Sequence, residues 1–169
     1  MKAATFALIA GAGYLAIGLL GLVPVALAPP PADAPSTTFA LLYGSLLGLW
    51  PVNVLHSALH IALGFWGLCA WSERCGAVAY ARGLAVLFAV LTVLGLLPGA
   101  DTLFGIMPIH GNDVWLHGLT AAAAFYFGWR PRAAAKERRH TPSERRRRTV
   151  AVARERRFGL ADRREGFAA

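Results

Sequence analysis

PVNVLHSALHIALGFWGL, residues 51–68, reads as a membrane-spanning helix that carries Asn53, His56, Ser57 and His60, followed by Gly64 and Gly67. At 100° per residue these positions share one face, a polar stripe grading into a small one on an otherwise apolar helix. A polar group at membrane depth is costly, so it turns toward a bundle interior or a wet cavity rather than toward lipid. The stripe therefore needs a counterpart elsewhere in the chain.

A spanning helix takes about 20 mainly apolar residues. Such runs are expected at about 5–28, 51–71, 77–97 and 113–129. With 56% hydrophobic residues and a mean hydropathy of +0.49, the chain is too apolar for a soluble domain of 169 residues. The expected fold class is all-α: a four-helix transmembrane bundle over residues 1–130, then a basic tail over 131–169 that is partly helical or disordered. Ala26-Leu27-Ala28 and Ala32-Asp33-Ala34 both resemble signal-peptidase sites. The first apolar run, however, exceeds the roughly 7–15 residues of a signal h-region. Its Gly11, Gly18 and Gly21 also space out like a helix-packing face, so it is read as a retained span. Pro29-Pro30-Pro31 ends it. Residues 39–50 form a short, Gly-broken apolar segment expected to lie at the interface or to re-enter the membrane.

The net charge of +8 belongs to the tail. Residues 130–169 hold 14 of the 17 Lys and Arg beside five acids, a net of +9, while residues 1–129 come to −1. Lys and Arg mark cytoplasmic loops. The segments 29–50 and 98–112 have none, whereas 72–82 has Arg74 and Arg82 and the C-terminus is densely basic. Both termini are therefore expected in the cytoplasm of a cell whose inner membrane holds the protein. Cys69 and Cys75 then sit on the reducing side. In the tail, Thr141-Pro142-Ser143-Glu144 opens like a capped helix. Arg145, Arg146, Arg147 and Arg148 are expected to contact anionic lipid, at about 1 kcal/mol per basic residue near the surface. No nucleic-acid partner is expected.

The counterpart of the opening stripe lies in the last span. Asp113, His117, Thr120, Ala121 and Ala124 share one face, and the second and last spans run in the same direction. His56 and His117 then sit at matching depth, with His60 roughly 6 Å further in. Facing stripes would gather Asn53, His56, Ser57, His60, Asp113 and His117 into one polar pocket.

Residues 5–130 resemble a family of small four-helix bacterial membrane proteins catalogued as a domain of unknown function. The resemblance rests on the Asn-x-x-His-x-x-x-His-x-x-x-Gly-x-x-Gly pattern of 53–67, the Leu-Phe-Gly-x-x-Pro loop of 103–108, and Asp-x-x-x-His at 113–117. Ser57 stands where the family pattern has Asn. The resemblance implies a fold and a membrane location, and no activity.

Four readings of the pocket stand open. Its side chains hold the helices in register by interhelical hydrogen bonds; or His56, His60, His117 and Asp113 bind a divalent metal; or two histidines hold haem; or the titratable groups form a proton or solute path. The leading expectation is a small scaffold or accessory membrane protein with this pocket, and the alternative is a metal- or haem-binding membrane protein. An enzyme is the weaker class, since no phosphate loop, nucleophile elbow or HExxH motif is present. His110, beside Gly111, is expected at the surface.

Overall fold

The structure, a computed structural model, describes residues 2–72 and 74–130. The basic tail, with its expected helix start at Thr141 and its Arg145–Arg148 run, lies outside the described residues. The chain is helical. Helix α1 spans Ala3–Leu20, α2 Val54–Trp71, α3 Arg74–Leu96 and α4 Asn112–Trp129. The first three are long and apolar enough to cross a membrane. At 1.5 Å per residue an 18-residue helix is roughly 27 Å long, close to the ~30 Å hydrocarbon layer. Phe65, Val86, Val93, Leu119 and Phe125 are exposed along the helix midsections, a pattern suited to lipid rather than water.

Helix α1 stops at Leu20, short of the expected Ala28. The backbone N–H groups of Leu22 and Val23 reach back only three residues, to Leu19 and Leu20. Pro24, with no N–H to donate, then turns the chain into a short 3₁₀ turn over Pro24–Ala26. Residues 27–52 contain a feature the apolar pattern did not announce. Strands β1 (Leu27–Ala28), β2 (Gly44–Leu46) and β3 (Trp50–Val52) form a small antiparallel sheet in the order β1-β2-β3. Leu46 pairs with Trp50 across the tip. There Leu47 and Gly48 both take positive φ, as the central residues of a type I′ turn that the Leu49 N–H closes onto the Leu46 carbonyl at 3.0 Å. This sheet and the loop 97–111 cap one end of the bundle, here termed the sheet end. At the opposite end lie the start of α1, the α2–α3 connection and the end of α4.

Helix α1 packs along α2, and α3 along α4. The first contact is built on small residues. A Cβ on Gly11 would come within 2.8 Å of the Leu68 nitrogen, and one on Gly18 within 2.7 Å of the Ser57 carbonyl oxygen. From the other side, a Cβ on Gly64 would fall on the Leu15 backbone and one on Gly67 on Gly11. Only glycine lets these two backbones lie so close. At the opposite end the Arg82 Nε donates to the Gly128 carbonyl at 3.0 Å and its guanidinium covers Trp129. A cation thus satisfies a carbonyl in the last turn of α4. Between the helices, Phe6, Leu63, Tyr80, Leu84 and Phe88 form the buried core.

Candidate functional site

Asn53 fixes where the site begins. It is the N-cap of α2, and its Oδ1 accepts from the His56 backbone N–H at 2.9 Å. This cap replaces one of the helix's missing hydrogen bonds. Its Nδ2 donates to the carbonyls of Phe39 and Ile106, each at 2.9 Å. One fully buried side chain therefore joins α2 to the loops on both sides of it.

From that cap the helical repeat aims His56 and His60 at the bundle centre. The stripe then divides between two neighbours. Ser57 and Gly64 face α1, where Gly21 lies against the Ser57 hydroxyl. Ser57 thus belongs to helix packing rather than to the imidazole cluster. On α4, Asp113 and His117 stand one turn apart and also point inward. The backbones of α2 and α4 stay apart, so these two helices meet only through long side chains reaching across the interior.

The side chains meet closely. Asp113 Oδ2 lies 3.3 Å from His117 Nε2 and 3.7 Å from His56 Nε2. The His56 and His60 ring centroids are 4.5 Å apart, and His117 is 5.9 Å from His56 and 6.4 Å from His60. One nitrogen from each of the three histidines falls within 4.8 Å of the others. All four residues are at most 2% exposed. Both nitrogens of His60 and of His117, and Nδ1 of His56, have no hydrogen-bond partner among the described residues. Buried polar atoms are normally paired, so five open nitrogens in one place are exceptional.

Two residues outside the expected set complete the surroundings. Tyr14 of α1 lies 5.1 Å from the His60 ring and donates to Thr120 Oγ1 at 2.7 Å. Phe88 of α3 lies 4.8 Å from the His117 ring and stacks on Tyr14. Both sit in apolar runs where a single aromatic carries no distinctive spacing, so the sequence offered no signal for them. His110 lies outside the cluster. It is partly buried in the loop 97–111, with an unpartnered Nε2 and its imidazole pushed toward the neutral form by desolvation.

The cluster lies close to the sheet end: His56 and His117 are only about 3 and 8 Å along their helices, and His60 about 9 Å. Beyond Tyr14 toward the opposite end, the interior is filled by Phe6, Ala7, Leu63, Leu84 and Phe127. Phe6 stacks on Phe127 at 5.1 Å.

Chemically, neutral imidazoles and a carboxylate are donors for zinc and related first-row ions. Zinc–nitrogen bonds of about 2.0–2.1 Å set tetrahedral ligands roughly 3.4 Å apart, so small rotations of the rings would close the set. A family model described as a domain of unknown function (DUF4383) matches residues 4–130. No curated protein and no solved structure matches the chain.

Proposed function

From the premise that the chain belongs to the DUF4383 family, we propose that it is a four-span inner-membrane protein that binds one divalent transition-metal ion inside its bundle. His56, His60 and His117 are the nitrogen ligands. Asp113 lies alongside, orienting His117 and His56 and balancing part of the ion's charge, as carboxylates beside metal-bound histidines commonly do. The observation that carries this reading is three buried histidines that each offer a ring nitrogen within 4.8 Å of the others, with five of their six ring nitrogens lacking a hydrogen-bond partner among the described residues. A purely scaffolding cluster would spend those nitrogens on hydrogen bonds between helices. Haem fits less well, because two axial histidines must stand on opposite faces of a macrocycle. The facing rings of His60 and His117 have Tyr14 and Phe88 packed directly against them at 5.1 and 4.8 Å, where a macrocycle would have to lie. A transmembrane path is not favoured either, since beyond Tyr14 the interior is packed by Phe6, Leu63, Leu84 and Phe127 and the Tyr80 hydroxyl is its one buried, unpartnered side-chain polar atom among the described residues.

The fourth span in this reading is α4, which does not reach the hydropathy of the three candidate spans and carries Asp113, His117 and Thr120 on its inward face. The distribution of Lys and Arg supports a sheet end on the periplasmic side and both termini in the cytoplasm.

Elemental analysis of the full-length protein, purified in mild detergent and dialysed against micromolar zinc, is expected to give one ion per chain. His56→Ala, His60→Ala and His117→Ala should each abolish that stoichiometry. Absence of metal from the wild type, or its retention in all three variants, would overturn the assignment.

A further inference from the structure

An ion bound at the histidines needs a way in, and the fold restricts where that way lies. The apolar packing of Phe6, Ala7, Leu63, Leu84 and Phe127 closes the side toward the opposite end. Around the cluster stand the four helices and the aromatic faces of Tyr14 and Phe88. The shortest route to solvent is through the sheet end, which the segments 21–53 and 97–111 roof over. Leu46, Val52, Pro108 and Ile109 are buried in that roof.

The roof is held by a small number of hydrogen bonds. Its two segments meet where the Thr38 N–H donates to the Gly105 carbonyl at 2.8 Å. The Val54 N–H donates to the Leu41 carbonyl at 3.0 Å, and Asn112 Nδ2 reaches the Leu49 carbonyl at 3.2 Å. Asn53 is the buried centre of this arrangement. Among the described residues it alone bonds both segments from one side chain while also capping the helix that carries His56 and His60.

Resting on the metal reading above, we infer that Asn53 is a positioning residue that latches the roof shut, so that opening of the Asn53 bonds to Phe39 and Ile106 sets the rate at which the ion enters and leaves from the sheet end. The latch touches no ligand side chain. It governs access rather than affinity.

The test separates the two roles of Asn53. Serine is itself a good N-cap, so Asn53→Ser keeps an acceptor for the His56 N–H but loses both donated bonds, while Asn53→Ala loses all three. In full-length protein in lipid nanodiscs, zinc dissociation into excess EDTA and association against a fluorescent zinc indicator are followed by stopped flow. Both variants are expected to speed association and dissociation together, by roughly tenfold or more, the scale of two lost hydrogen bonds. The dissociation constant should stay within about threefold. Wild-type rates in Asn53→Ser, or faster dissociation alone with affinity falling in proportion, would overturn the latch. Hydrogen exchange on the wild-type protein tests the latch without a variant. The Thr38 and Val54 amides should open at the rate at which zinc leaves, and complete loss of zinc while both stay protected would refute the inference. Wild-type protein that binds no zinc at equilibrium would remove the metal reading itself, and the latch with it. Binding with unaltered exchange in both variants would remove the latch alone.

Discussion

Two glycines two residues apart on α1 should respond in opposite ways to the same added methyl group. Gly11 faces α2, where an alanine Cβ would stand 2.8 Å from the Leu68 nitrogen, 2.9 Å from the Gly67 carbonyl carbon and 3.0 Å from the Gly64 carbonyl oxygen. All three are backbone atoms of one helix, so no side chain can rotate away. Ordinary contact begins near 3.4 Å, and α1 and α2 must part by about half an ångström along a seam that also includes Gly18 and Gly67. Overpacking of this kind costs about 1–3 kcal/mol. Gly13 is exposed, and a Cβ added there would meet nothing within 4 Å. At that position the change from Gly to Ala favours the helix by up to about 1 kcal/mol. Thermal unfolding in detergent, followed by circular dichroism, should therefore place Gly11→Ala several degrees below wild type and Gly13→Ala at or above it. The propensity gain applies at both positions and cancels in the comparison, so the separation corresponds to the overpacking alone, about 1–3 kcal/mol. Because Tyr14 rides on the same helix and packs against His60, Gly11→Ala should also weaken metal binding while Gly13→Ala leaves it alone. Equal shifts for the two variants would refute the glycine seam between α1 and α2.

Two further outcomes bear on the site and on orientation. Asp113→Asn keeps the shape of the side chain but removes the charge beside His117 and His56; equilibrium dialysis should show zinc affinity reduced about 10–100-fold, the usual effect of losing a carboxylate behind metal-bound histidines, and unchanged affinity would exclude Asp113 from the site. Reporter fusions after Ser36 and Gly99 should read as periplasmic and one after Glu73 as cytoplasmic, and the reverse pattern would overturn the orientation drawn from the Lys and Arg distribution.

The helices were legible because lipid-facing and core positions are both apolar, so each span stands out as an uninterrupted run. The positions of His56, His60, Asp113 and His117 were legible for the complementary reason. A polar residue inside such a run has few permitted orientations, and two parallel runs carrying them at equal depth suggest a meeting point. The geometry of that meeting was less accessible. Side chains of α2 and α4 reach each other across the interior while α1 and α3 occupy the flanks, a diagonal arrangement that no periodicity encodes. For the same reason Ser57, which shares a face with His56 on a helical wheel, packs instead against Gly21. The end of α1 was obscured because Leu22, Val23, Val25 and Leu27 extend the apolar run past the point where Pro24 interrupts the hydrogen bonding. The small sheet is built from two- and three-residue strands, too short for a period of two to register. The role of Asn53 depends on the carbonyls of Phe39 and Ile106, groups every residue carries, so its identity gave no sign of its partners.

The position of the cluster also bears on what the protein can do. An ionisable group becomes more costly with depth in the membrane, and these four lie within the first turns of α2 and α4 rather than at mid-span. That placement reduces the expense of burying them, but it does not remove the expense of leaving them unpaired. Each buried, unsatisfied polar atom costs about 1–3 kcal/mol. The open nitrogens of His56, His60 and His117 therefore weigh against a purely structural role, His117 Nε2 least because it lies 3.3 Å from Asp113 Oδ2. Register between helices is already supplied at far lower cost by the glycine seam of α1 and α2 and by the Tyr14–Thr120 and Arg82–Gly128 bonds. A cluster kept only to align helices would duplicate those contacts at a net loss. A cation that takes a lone pair from each ring would engage three ring nitrogens at once, one from each histidine. On the proposed metal reading, the packing of Phe6, Ala7, Leu63, Leu84 and Phe127 toward the opposite end confines exchange of the ion to the sheet end.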